Sequence, residues 1–162
     1  MSSENEMLLL AETLGQRLLQ RGWSIVTAES CTGGWLAKVI TDIPGSSAWL
    51  ERGFVTYSNE SKQELLDVAP EILIQHGAVS EATVIQMAQG ALARSRAQVA
   101  VAVSGIAGPG GGLPNKPVGT VWLAWCIPGQ APRTRCELFA GDRDAVRYQT
   151  VQLALTMLIS DL

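Results

Sequence analysis

The segment Ser24-Ile-Val-Thr-Ala-Glu-Ser-Cys-Thr-Gly-Gly-Trp-Leu-Ala-Lys-Val-Ile40 decides the fold. Ser24 to Ala28 is short, β-branched and apolar, which suits a buried strand. Ser30-Cys-Thr-Gly-Gly34 breaks that pattern, and Trp35 to Ile40 resumes as a helix. Before this unit, Leu8, Ala11, Leu14, Leu18 and Leu19 follow helical spacing, with Gly22 just past the helix end. After it, Pro44-Gly-Ser-Ser47 is a turn and Gly53-Phe-Val-Thr-Tyr57 a second strand. Ser58 or Asn59 can cap a helix through Lys62 and Leu66, and Glu71 to Gln75 is a short helix closed by Gly77. Ser80 caps a helix from Glu81 to about Arg94.

Gln98 to Val103 is a third strand, followed by a glycine-rich loop from Gly105 to Gly112. Val118 to Ile127 and Arg133 to Phe139 read as an antiparallel hairpin joined by Pro128-Gly-Gln-Ala-Pro132. Asp142 opens the last helix. This order predicts a three-layer α/β/α sandwich with a mixed, partly parallel sheet of about five strands, a single domain over residues 1–162. If the first three strands are parallel, Ser30, Tyr57 and Ser104 stand along one rim, at the strand ends where open α/β sheets bind ligands.

Composition narrows the function. The chain has 162 residues, 47% hydrophobic and 17% charged, enough apolar material for a core. Twelve Lys+Arg against fifteen Asp+Glu leave a net charge of −3, without the basic balance or local basic run that a nucleic-acid partner needs. The N-terminus, Met1-Ser-Ser-Glu-Asn-Glu, lacks the features of a signal peptide, and no apolar run approaches the ~18–20 residues of a membrane span. A cytoplasmic protein with no membrane contact is expected. Three cysteines without Cys-x-x-Cys spacing (Cys31, Cys126 and Cys136) suit free thiols, and the single histidine, His76, leaves no Cys/His set for a metal. No metal and no cofactor are expected.

Candidate chemistry gathers at the strand ends. Ser30 at a strand-to-helix turn is exposed to attack a substrate, and free N–H groups at the helix start can hold an oxyanion. Gly33 and Gly34 let a carbonyl approach the backbone; equally, Ser30 or Thr32 can simply cap the helix. Cys31 is a rival nucleophile whose only histidine partner would be the peripheral His76, or else a small packing residue. A serine without a catalytic histidine needs another base, and a desolvated lysine can serve. Lys62, one turn past the second strand, can reach toward Ser30 or lie solvated on the surface. Val103-Ser-Gly-Ile-Ala-Gly-Pro-Gly-Gly-Gly112 is neither a P-loop nor a dinucleotide fingerprint; an anion cradle, a lid and a plain connection all fit it. Arg143 or Arg147 in the last helix can clamp a phosphate, or be ordinary first-turn charge, and N–H groups near Gly45-Ser-Ser47 can add to such a site.

Together these blocks resemble a known family. Thr27-Ala-Glu-Ser-Cys-Thr-Gly-Gly34, Gly53-Phe-Val-Thr-Tyr-Ser-Asn59 with Lys62, Gly77-Ala-Val-Ser80, Ser104-Gly-Ile-Ala-Gly-Pro109, Lys116-Pro-Val-Gly-Thr-Val121 and Gly141-Asp-Arg143 are similar to the CinA C-terminal domain family, in order from about Glu6 onward. Ser104 stands where many members have threonine, and the hydroxyl is kept. The stand-alone bacterial members are nicotinamide-nucleotide amidases, which convert nicotinamide mononucleotide to nicotinate mononucleotide and ammonia in pyridine-nucleotide recycling. The resemblance implies a serine amidase with Ser30 as nucleophile and Lys62 and Tyr57 as proton-transfer partners. Cys31, Thr32, Gly33, Gly34, Gly45, Ser46, Ser104, Gly105 and Arg143 are the expected oxyanion and substrate-binding residues. The substrate is a small molecule, and a homo-oligomer is expected, with Trp35, Trp49, Trp122 and Trp125 available either to subunit contacts or to the core. A module of the same fold that binds a phosphorylated ligand without catalysis is the alternative.

Overall fold

A computed structural model describes residues 2–162. Helix α1 (Ser3–Arg21) leads into strand β1 (Ile25–Glu29), helix α2 (Trp35–Thr41) and a 3-10 turn at Ser46–Ala48. Strand β2 (Leu50–Val55) is followed by helices α3 (Asn59–Leu66), α4 (Pro70–His76) and α5 (Glu81–Ala93). Strands β3 (Val99–Gly105), β4 (Thr120–Cys126) and β5 (Arg133–Leu138) precede the last helix, α6 (Arg143–Asp161).

The five strands form one sheet in the order β2-β1-β3-β4-β5. β2, β1 and β3 run parallel, while β4 and β5 add as an antiparallel hairpin. Helices cover both faces, which makes the mixed α/β/α sandwich that the sequence predicts.

The two faces are filled differently. Ile25, Val101, Val103, Leu123 and Trp125 meet α1, α2 and α6 on one side. Alternation along the strands turns Ala28, Ala100, Ala102 and Ala124 to the other, against α5. Small side chains there bring α5 close to the sheet. Gly90 of α5 lies so near the end of α3 that a Cβ on it would sit 1.9 Å from the Leu66 carbonyl oxygen.

The helix starts obey capping chemistry. Ser2, Ser58, Ser80 and Asp142 each accept a hydrogen bond from a backbone N–H three residues on, and Ser58 with Ser61 completes a capping box. The second strand departs from expectation: it runs over Leu50–Val55 rather than residues 53–57. Thr56 N still donates to the Glu29 carbonyl, but the carbonyls of Thr56 and Tyr57 turn to Lys62, and the ladder ends there. Trp49 and Trp125 are buried in the core, so only Trp35 and Trp122 of the four tryptophans named above retain partial exposure. No helix among the described residues is long and apolar enough to cross a membrane.

The close approach at Gly90 predicts a specific weakness. Gly90→Ala must push α5 away from α3, and overpacking of this kind costs about 1–3 kcal/mol. Urea denaturation is expected to show a lowered midpoint; an unchanged midpoint would mean that the two helices separate without cost.

Candidate active site

The parallel strands bring their carboxyl ends to one rim, and three chain segments meet there. Ser30 follows β1 directly and is held in place by its N–H, which donates to the Val103 carbonyl of β3 at 3.1 Å. Lys62 lies in the first turn and a half of α3, where a helical side chain leans back toward the N-terminus and so toward the rim. Its Nζ is 2.9 Å from Ser30 Oγ, 2.7 Å from the Thr56 carbonyl oxygen and 3.4 Å from that of Tyr57. Ser104 and Gly105, at the end of β3, line the same cavity of about 260 Å³ together with Cys31, Tyr57 and Arg143.

Lys62 is the unusual group. It is 0% exposed, and among the described residues no carboxylate lies within ion-pair distance of it. Burial lowers its pKa from 10.5 to about 8. The three oxygens around Nζ suit either protonation state. An ammonium donates to all three; a neutral amine donates to the two carbonyls and turns its lone pair to the Ser30 hydroxyl.

The turn after Ser30 is pinned from two sides. Glu29, 1% exposed, accepts from Thr32 Oγ1 at 2.6 Å and from the N–H groups of Leu36 and Ala37 at 2.8 and 3.1 Å. Its carboxylate thereby satisfies the first free amides of α2. From α6, Arg147 donates to the carbonyls of Cys31 and Thr32. Gly33 and Gly34 hold φ of 60° and 102°, the left-handed region that a side chain disfavours, and this lets the chain reverse from strand to helix in so few residues. The Gly33 N–H donates to the Ser30 carbonyl, whereas those of Thr32 and Gly34 have no acceptor among the described residues.

The setting of Cys31 disfavours its reactive form. Burial, reinforced by the charge of Glu29, pushes its thiol up to about 12, so the reactive thiolate is scarce near neutrality. His76 ends α4, where its carbonyl accepts from Lys116, and it does not line the cavity that holds Ser30 and Cys31.

At the mouth, Arg143 donates from Nη1 to the Gly108 carbonyl at 2.8 Å and from Nη2 to the Tyr57 hydroxyl at 3.2 Å. Tyr57 is 64% exposed, and its hydroxyl makes no hydrogen bond to Ser30 or Lys62. Gly45 and Ser46 do not join this group. They precede β2, whose first residue pairs with Ile25 at the start of β1, and so they stand at the opposite end of the sheet from Ser30. Thr32, Gly33 and Gly34 line a neighbouring hollow of about 660 Å³ behind the turn, beside Trp35 and Arg147.

Sequence reasoning passed over Glu29, the Thr56 carbonyl, and Ala78 and Val79, which close one wall of the cavity. A signal for Glu29 was present. A carboxylate ending an apolar, doubly buried strand must find hydrogen-bond donors, and the nearest are the free amides of the next helix. The Thr56 carbonyl left no signal, because backbone acceptors look alike in every sequence.

Known proteins resemble this chain closely. A sequence model of the CinA C-terminal domain matches residues 8–162. Nicotinamide-nucleotide amidohydrolase PncC of Escherichia coli K12 is 58% identical over 156 residues, which cover 96% of this chain and 94% of that protein. The protein of the same name from Pseudomonas putida is 56% identical over 153 residues, 93% of each chain. The crystal structure of competence/damage inducible protein CihA from Agrobacterium tumefaciens superposes with a TM-score of 0.93 at 47% identity, covering 96% of this chain and 94% of that one.

The displaced pKa of Lys62 has a consequence for stability. Between pH 8 and 10.5 the unfolded chain holds a proton on Lys62 that the folded chain has released, so stability must rise with pH across that window. The full gain is up to about 3 kcal/mol. Urea denaturation at pH 7.5 and 10.5 is expected to show a pH response more favourable in the wild type than in Lys62→Met by this amount, since the raised Cys31 thiol, which lowers stability above pH 9, acts alike in both. Equal pH responses in the two proteins would mean that Lys62 titrates normally.

Proposed function

The chain belongs to the CinA C-terminal domain family, and from that membership and the Ser30–Lys62 contact we propose that it hydrolyses the carboxamide of nicotinamide mononucleotide. The 2.9 Å approach of a buried lysine to a serine hydroxyl is the observation that carries this reading. Neutral Lys62 takes the proton from Ser30 Oγ as the oxygen bonds to the carboxamide carbon, and the carbonyl electron pair moves to oxygen. The tetrahedral oxyanion is met by free amides of the turn after Ser30. Collapse breaks the C–N bond, with the proton on Lys62 passing to the departing nitrogen, and ammonia leaves. Water then attacks the acyl-enzyme, giving its proton to Lys62. The second collapse expels Ser30 Oγ, which recovers that proton, and nicotinate mononucleotide is released.

Lys62 is held by carbonyls and by Ser30 itself, so it serves as base and acid without a third side chain. The contact between Tyr57 and Arg143 at the mouth supports a role for both in meeting the substrate rather than the reacting proton. Arg143 is the residue we assign to the phosphate, since it faces the cavity and opens α6.

Two outcomes test this reading. Ser30→Ala and Lys62→Arg should each lose several orders of magnitude in ammonia release, because guanidinium cannot act as a base, while Cys31→Ala keeps most of it. The wild-type rate should climb with pH and level off above about 8 as Lys62 loses its proton. A dead Cys31→Ala, or an active Lys62→Arg, would remove the serine–lysine mechanism.

The phosphate assignment is tested with nicotinamide riboside, which lacks that group. A charge-assisted contact is worth about 1.5–3 kcal/mol, so Arg143→Ala should lose roughly 10- to 150-fold in kcat/KM on the mononucleotide and little on the riboside. Equal losses on both substrates would take Arg143 out of the phosphate site.

A further inference from the structure

Arg147 of α6 makes no ion pair with any carboxylate among the described residues. Its guanidinium lies over the Trp35 ring, 5.5 Å from the centroid, and spends two donors on the turn that follows Ser30. Nε donates to the Cys31 carbonyl at 3.0 Å, and Nη2 donates to the Thr32 carbonyl at 3.2 Å.

The other ends of those peptide units are the Thr32 and Gly33 amides, in the turn that directly follows Ser30. The Cys31 carbonyl shares its peptide with the Thr32 N–H, which has no acceptor among the described residues. The Thr32 carbonyl shares its peptide with the Gly33 N–H, which donates to the Ser30 carbonyl at 3.1 Å. That carbonyl in turn shares its peptide with the Cys31 N–H, which donates to no other residue among those described. Both amides that follow Ser30 therefore end a hydrogen-bonded chain that begins at a full positive charge. Hydrogen bonds in such chains strengthen one another by roughly 10–30% per bond. A guanidinium fixed across two carbonyls also fixes where the attached N–H groups point.

We propose that Arg147 is a positioning residue that aims and polarises the Cys31 and Thr32 amides as the oxyanion donors of the Ser30 site. This rests on the serine-amidase reading above and assigns Arg147 to the transition state rather than to the substrate phosphate.

The test compares wild type, Arg147→Ala and Arg147→Lys with three ligands. These are nicotinamide mononucleotide as substrate, nicotinate mononucleotide as ground-state ligand, and the carboxaldehyde analogue of the nucleotide. Ser30 Oγ bonds to the aldehyde carbon, the carbonyl pair moves to oxygen, and the serine proton completes the hemiacetal. Losing one oxyanion donor outright costs roughly 10²–10³ in kcat, so losing what aims two of them should cost roughly 10- to 100-fold.

Arg147→Ala is expected to show that loss in kcat and a matching loss of affinity for the aldehyde. KM and product affinity should move by less than about threefold, and the pH limb should stay in place. Arg147→Lys should recover only part, since one ammonium cannot replace a planar fork across two carbonyls. An unchanged kcat, a loss confined to KM, or equal losses for aldehyde and product would each overturn the proposal. If circular dichroism shows Arg147→Ala unfolded, Arg147→Lys decides: aldehyde affinity must fall relative to product affinity, and a constant ratio overturns the proposal. A wild-type protein that forms no hemiacetal removes the serine reading itself, and Arg147's role with it, before any Arg147 variant is needed.

Discussion

A lysine with no counter-ion among the described residues, sealed at the rim of the sheet, is the constraint around which this molecule is arranged. Burying an amine this way is costly, and the cost is moderated only by oxygen acceptors. Two of them are backbone carbonyls, which accept from an amine or an ammonium but carry no charge that would hold the proton on. A carboxylate in their place would raise the pKa and lock Lys62 as a cation. The chain supplies the carbonyls by ending β2 early, so the strand boundary and the chemistry of Lys62 are one fact seen from two sides.

The remaining architecture keeps Ser30 within reach of that amine. Ser30 rides on the central part of the sheet, between β2 and β3, where its neighbours are hydrogen-bonded on both sides. Lys62 rides on α3, whose distance from the sheet is set by α5, and α5 in turn lies close because the strands present alanine to it. A contact of hydrogen-bond length between two elements is thus fixed by small residues remote from it. Glu29 and Arg147 do for the turn what α5 does for α3. One satisfies amides and the other carbonyls, so few backbone groups of residues 29–37 are left to choose their own direction.

Much of this was legible in the sequence, for identifiable reasons. The helices announced themselves through caps: Ser58, Ser80, Asp142 and Gly22 are residue types with a local mechanism, and each acts where its type suggests. The rim followed from three apolar runs separated by helical stretches, because parallel connections bring strand ends to one side. The Ser30–Lys62 distance was not legible from spacing, since it depends on how α3 is held. Gly45 and Ser46 misled because a glycine–serine turn looks the same at either end of a sheet. Arg143 and Arg147 were indistinguishable as letters; four residues apart on α6, one faces the cavity mouth and the other grips the turn behind it.

Burial pushes the thiol of Cys31 up to about 12, one residue from Ser30. Peroxides and other electrophiles attack the thiolate form, so they find almost nothing to attack beside Ser30. In the proposed mechanism hydrolysis runs through an oxygen that such oxidants leave alone, next to a sulfur that burial keeps from them. An oxidising burst that silences hydrolases built on a reactive cysteine would leave this turn chemically intact.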